Sequence, residues 1–147
     1  MRVVIQRVKE ASMTIHGRLK SSIRERLLVL LGIEDADTHQ DIKWLWCKTL
    51  GVIDDMEGVM NRSNLETGGD IIVVSQFTLM AITKKGNLPS YICTARQEVA
   101  IPLYEAFCKH LSTLLWKDVG RGEFDTDLQV SFNGGPMTIC MDTKNKE

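Results

Sequence analysis

Two short segments of this chain gather residue types that could carry chemistry. The first is Ser75-Gln76-Phe77-Thr78-Leu79. It closes a run rich in β-branched residues, 71–76, that reads as a buried strand. Polar residues at the C-terminal end of such a strand often line a ligand crevice. Ser75 and Thr78 bring hydroxyls, and Gln76 brings both a donor and an acceptor. If the chain turns there, its N–H groups are free to serve as an oxyanion hole. Such hydroxyls more commonly satisfy the backbone at a strand end, and residue type alone leaves both roles open. The second segment is Asn133-Gly134-Gly135-Pro136-Met137-Thr138, which separates two strand-like runs, 128–132 and 137–141. Gly135 ahead of Pro136 allows backbone geometry closed to other residues. An ordinary turn fits equally, and since about 5% of X-Pro bonds in folded proteins are cis, spacing alone does not argue for a cis bond.

No other cluster competes with these two. Cys47, Cys93, Cys108 and Cys140 contain no C-x-x-C pair and stand near no histidine at metal-ligand spacing. They are expected to be reduced, mostly buried thiols. His16, His39 and His110 are scattered and are expected in turns or on helix surfaces. No metal or cofactor is expected. A net charge of -1 lacks the electrostatic footprint of a general nucleic-acid binder, so contact with RNA would have to be local, through a small basic patch or a strand end. The longest apolar runs, such as 27–33 and 71–74, are too short to span a membrane. Residues 1–5 enter a strand-like pattern without signal-peptide anatomy, and the expected location is the cytosol.

The elements that must hold these segments are legible from periodicity. Residues 2–9 and 11–15 alternate loosely and read as two strands. A turn at His16-Gly17-Arg18 leads to a short strand over 19–22, and the continuous apolar run 27–33 reads as a buried central strand. Asp37-Thr38 opens a helix, with Thr38 and Asp41 at capping-box spacing. Ile42, Leu45, Trp46 and Leu50 follow on one face, Trp44 lies off it, and Gly51 ends the helix. Residues 52–53 and 59–60 read as short strands around a turn at 54–58, Gly68-Gly69 as a further turn, and 83–90 as a surface loop. Pro102 suits the first turn of a second helix carrying Leu103, Phe107, Leu111 and Leu114, although that helix could begin near Gln97. With 147 residues, no linker and no repeat, the chain reads as one α/β domain over 1–147, two main helices covering sheet layers.

Taken together, the two segments resemble the paired signatures of the D-aminoacyl-tRNA deacylases of the D-Tyr-tRNA deacylase type, Ser-Gln-Phe-Thr-Leu and Asn-x-Gly-Pro-x-Thr. The resemblance extends in order through residues 1–8, residues 27–34, Gly58-Val59-Met60-Asn61, Lys85-Gly86-Asn87 and Leu103-Tyr104-Glu105-Ala106-Phe107. Departures fall at Leu50-Gly51-Val52-Ile53-Asp54, about two residues shorter than usual and without the usual Arg, and at Arg24-Glu25-Arg26, where a Gly-containing turn is usual. Leu88 stands where an Arg often precedes Pro89, a change that could remove a phosphate contact. Asp125-Thr126-Asp127-Leu128 replaces a Gly-Ala-Asp-Met-like stretch.

The resemblance implies an enzyme of β/β/α layered fold that hydrolyses the ester joining a D-amino acid to the terminal ribose of tRNA, a proofreading step of translation, and that also acts on glycyl-tRNA. It implies a homodimer in which a cis Gly135-Pro136 pair enters the partner's pocket and offers two carbonyl oxygens to the substrate α-ammonium. Arg7 would brace that loop, with Asn133, Met137 and Thr138 around it. With amine and ester fixed, a wall at the remaining direction on Cα rejects every L-residue by steric exclusion. Ser75, Gln76, Phe77 and Thr78 would form the catalytic segment, with N–H groups near Phe77 and Thr78 as the oxyanion hole. An aminoacyl ester is already activated, so Thr78 is read as a positioner ahead of a nucleophile, and the substrate's 2′-hydroxyl could assist. A non-catalytic nucleic-acid-binding member of the same fold is the alternative. Hydrolysis of another small ester or amide is a third reading.

Overall fold

The computed structural model describes residues 1–50, 68–84, 86–124, 126–134 and 137–146. Its frame is one long antiparallel hairpin, β1 (Arg2–Ile15) and β2 (Arg18–Gly32). The expected breaks near residue 10 and at Arg24-Glu25-Arg26 do not occur, because backbone pairing carries both strands through. What the sequence registers at Lys9 and Glu10 is a slip in side-chain alternation, with both residues exposed. The turn is tight, with His16 at φ 49 and Gly17 at φ 74, the left-handed pair that matches strand twist in a hairpin.

β3 (Ile71–Ser75) lies parallel to β2, and β4 (Gly120–Arg121) parallel to β3. β4 has two residues, too short to leave a sequence signal. On the other side of β1, β5 (Leu128–Asn133) runs along residues 10–15 and β6 (Thr138–Asp142) along residues 2–6. Among the described residues these six strands make one mixed sheet that nearly closes on itself.

α1 (His39–Leu50) and α2 (Gln97–Leu115) cover one face. Val3, Ile5, Leu27, Val29, Leu31, Ile71 and Val73 point toward them and meet Ile42, Leu45, Phe107 and Leu111. The alternate residues Leu28, Ile72 and Val74 join Val8, Ala11 and Met13 in a second cluster, so β2 and β3 are buried on both faces and read as continuous apolar runs. α1 starts as expected: the Asp41 carboxylate accepts from the Thr38 N–H (2.9 Å) and hydroxyl (3.0 Å). Trp44 is half-buried. α2 begins at Gln97, ahead of Pro102, which falls in its second turn and removes one ladder bond. Burial of Ala100, Leu103, Tyr104, Phe107, Cys108 and Leu111 along one stripe outweighs that loss. Only Cys108 of the four cysteines is buried; Cys93 is half-buried, and Cys47 and Cys140 are exposed, which corrects the expectation of mostly buried thiols. Gly51, the elements expected over 52–60, the Gly58-Val59-Met60-Asn61 match, Lys85, Asp125, Gly135 and Pro136 lie outside the described residues.

Candidate active site

β3 ends at Ser75, and the chain turns at once into a single 3-10 turn, Phe77–Met80. Gln76 makes the transition, its N–H donating to the Leu31 carbonyl at 2.8 Å. The turn closes through Leu79 N–H to Gln76 O and Ala81 N–H to Thr78 O, both 3.2 Å. A helical turn leaves its first N–H groups without intrahelical partners. Here those belong to Phe77 and Thr78, which donate to no other group among the described residues. Arg2 Nη1 donates to Leu79 O at 3.0 Å and ties the turn to the start of β1. Gly32, at the end of β2, lets the turn approach: a Cβ there would stand 2.9 Å from Leu79 Cβ and 3.2 Å from Gln76 O.

Side chains in the turn are arranged locally. Gln76 Nε2 donates to Thr78 Oγ1 at 2.5 Å. Among the described residues no carboxylate or imidazole bonds the Thr78 hydroxyl, so the turn shows no general base for it. Phe77 is 54% exposed and meets Tyr91 edge to face, with centroids 5.4 Å apart.

The turn forms one wall of a cleft of about 590 Å³. Ser75, Gln76 and Phe77 line it together with Thr94, Ala95, Gln97, Glu123, Phe124 and Asp127. The Phe124 wall gives no signal in the sequence, because its position depends on the two-residue β4. Glu123 is paired with Lys20 at 2.7 Å. Among the described residues no group of His, Cys, Asp or Glu is arranged to hold a metal ion.

The second segment sits elsewhere. β5 and β6 form one edge line along β1 with an interruption. Asn133 pairs with Glu10 and Thr138 with Gln6. Asn133 and Thr138 are exposed, and Gln6 Nε2 reaches Thr138 Oγ1 at 3.3 Å. Met137 packs against the helix-side core, and its carbonyl accepts the Arg7 N–H at 3.1 Å. Gly134 has φ +66, and a Cβ on it would stand 3.1 Å from the Lys9 side chain. Among the described residues of this segment none lines the cleft. The Arg2 side chain touches the turn, whereas the Arg7 backbone N–H touches the second segment. Among the described residues no hydrogen bond joins the two segments.

The fold is a small α/β domain with a cleft at a strand end and no metal cluster among the described residues. The model of the D-Tyr-tRNA(Tyr) deacylase family matches residues 4–142, and the chain belongs to that family. It is 61% identical to the D-aminoacyl-tRNA deacylase of Phocaeicola vulgatus and 58% identical to that of Bacteroides thetaiotaomicron, each match covering 100% of both chains. Among solved structures it resembles a c-Myc DNA unwinding element binding protein, with TM-score 0.89 and 32% identity over 97% of this chain and 99% of that one.

Proposed function

We propose that this chain is a D-aminoacyl-tRNA deacylase, hydrolysing the ester between a D-amino acid and the terminal ribose of tRNA as a quality-control step of cytosolic translation. Family membership carries the general activity. The observation that supports a mechanism is the pair of N–H groups on Phe77 and Thr78, unpartnered among the described residues, of which Phe77 lines the cleft and Thr78 follows it in the turn. Backbone donors aimed at a developing oxyanion supply most of what an activated ester needs. The Thr78 hydroxyl, held by Gln76, orients the ester or the attacking water.

Chirality is read by the second segment. In this reading the carbonyls of Gly135 and Pro136 hold the α-ammonium, and the loop belongs to a partner copy. That no described residue of the second segment lines this chain's cleft supports a site built from two chains. Arg7, bonded through its N–H to Met137 O, steadies the loop, and glycine passes because it has no side chain to exclude.

The test is release of D-tyrosine from D-Tyr-tRNA by the purified protein, with L-Tyr-tRNA left intact. Thr78→Pro, which deletes one N–H, lowers kcat by about 10²–10³-fold. Thr78→Val, which deletes only the hydroxyl, keeps more than about a tenth of the rate, the smaller loss expected for a positioning group. A trapped acyl-Thr78, with turnover abolished in Thr78→Ala, would make Thr78 the nucleophile. The name of the 32%-identical structure keeps a second reading open, a nucleic-acid binder without hydrolysis. No release together with retained tRNA binding would favour it.

A further inference from the structure

The cleft has two walls from different parts of the chain, and one buried hydroxyl bonds the backbone behind both. Tyr104 on α2 is 3% exposed. Its hydroxyl donates to Val73 O at 2.7 Å, two residues before Ser75. It also accepts the Gly122 N–H at 3.0 Å, two residues before Phe124. The same Gly122 N–H reaches Val73 O at 3.2 Å. The Tyr104 ring meets Phe124 edge to face, with centroids 5.3 Å apart and planes at 86°. Phe124 lines the same cleft as Ser75 and Phe77.

The physical need for this hydroxyl lies in β4. That strand pairs with Ile72 and Val73 and then stops. Past that point the edge of β3 has no strand neighbour on that side among the described residues, just where it must deliver the turn. A phenylalanine at 104 would fill the same space and keep the contact with Phe124. The hydroxyl adds the bonds to β3 and to the segment after β4, together with a hydrogen bond to Cys108 on its own helix.

We infer that Tyr104 is a positioning residue, which sets the distance between the Ser75–Phe77 wall and the Phe124 wall and thereby the placement of the ester against the turn's N–H groups. The inference rests on the deacylase reading for its kinetic consequence and on the fold alone for its mechanical one, so the experiment reads both.

Tyr104→Phe is compared with wild type and with Leu111→Ala, which empties a fully buried position two turns along the same helix. All three are assayed on D-Tyr-tRNA at a temperature well below every unfolding midpoint. Tyr104→Phe is expected to lower kcat about tenfold with KM changed less than threefold, while Leu111→Ala lowers the unfolding midpoint further yet keeps kcat within twofold. Amide hydrogen exchange at Gln76 and Gly122, whose N–H groups are bonded, is expected to quicken in Tyr104→Phe and not in Leu111→Ala. A Tyr104→Phe kcat within threefold of wild type, or exchange at those amides unchanged, overturns the inference. If wild type releases no amino acid, the deacylase reading fails, and the exchange comparison still decides whether Tyr104 holds the walls.

Discussion

Cys108 shows how burial changes a side chain whose type says little. Burial pushes its thiol up to about 11, against a smaller lowering from the Tyr104 hydrogen bond. Burial likewise raises the Tyr104 phenol. In the unfolded chain the thiol loses its proton near its ordinary value of 9.0. Between about pH 9 and 11 the unfolded chain therefore binds fewer protons than the folded one, and stability falls as pH rises, by at most about 2–3 kcal/mol from this group. Urea midpoints at pH 7, 9 and 10.5 should decline in that order, and the decline should be shallower in Cys108→Ala. Exposed Cys47 and Cys140 should take iodoacetamide at pH 8 in the native protein, with Cys108 reacting only after denaturation. Mass spectrometry of the labelled peptides checks this.

Among the elements, the junction of β2, β3 and the 3-10 turn is tightly packed. Gly32 is needed there for space. Its Cβ would lie 2.9 Å from Leu79 Cβ, which is rooted in the backbone and cannot swing away. Gly32→Ala should cost about 1–3 kcal/mol by overpacking and should lower kcat, because the turn that carries the Phe77 and Thr78 N–H groups must shift. Unchanged activity and an unchanged urea midpoint would show that the turn has slack. The helices were easier to anticipate. The Thr38–Asp41 cap is a local spacing whose partners lie three residues apart, and its bonds form as spacing alone suggests. The β1–β2 hairpin was harder. Its alternation falters at Lys9 and Glu10, so two strands were expected where inter-strand pairing makes one. Local pattern could not register pairing with residues on the other strand.

At the scale of the molecule, distant parts of the chain converge on one buried ion pair. The Met1 α-ammonium lies 2.5 Å from Asp37 Oδ1, with both side chains fully buried. Thr143 Oγ1 accepts from the same ammonium at 3.0 Å, and the Glu34 N–H donates to Asp37 Oδ2 at 2.8 Å. Asp37→Ala leaves a buried charge without its counter-ion and should cost about 3–5 kcal/mol in a urea titration, with Asp37→Asn costing less. The proposed two-chain site makes a prediction at the same scale. A Thr78→Pro chain and a chain lacking residues 134–136 should each be inactive alone. Reassembled in equal amounts, half the dimers would be mixed, each with one complete site, restoring roughly a quarter of wild-type activity. If no activity returns although mixed dimers form, the loop does not serve a partner's cleft.

The sequence by itself determined which residues belong to the two segments, the family they resemble, the cap of α1 and the apolar runs of β2 and β3. These are all properties of neighbours within a few positions. Tertiary structure decided three things that local pattern does not contain. It turned the chain directly after Gln76, so that the Phe77 and Thr78 N–H groups stand without partners among the described residues. It raised the Phe124 wall of the cleft from a two-residue strand and the Tyr104 hydroxyl. It also left the described residues of the second segment out of this chain's cleft. The physical reason is common to all three: a backbone donor is free, a wall is near or a segment lies outside the cleft only once the sheet has assigned each strand its neighbour.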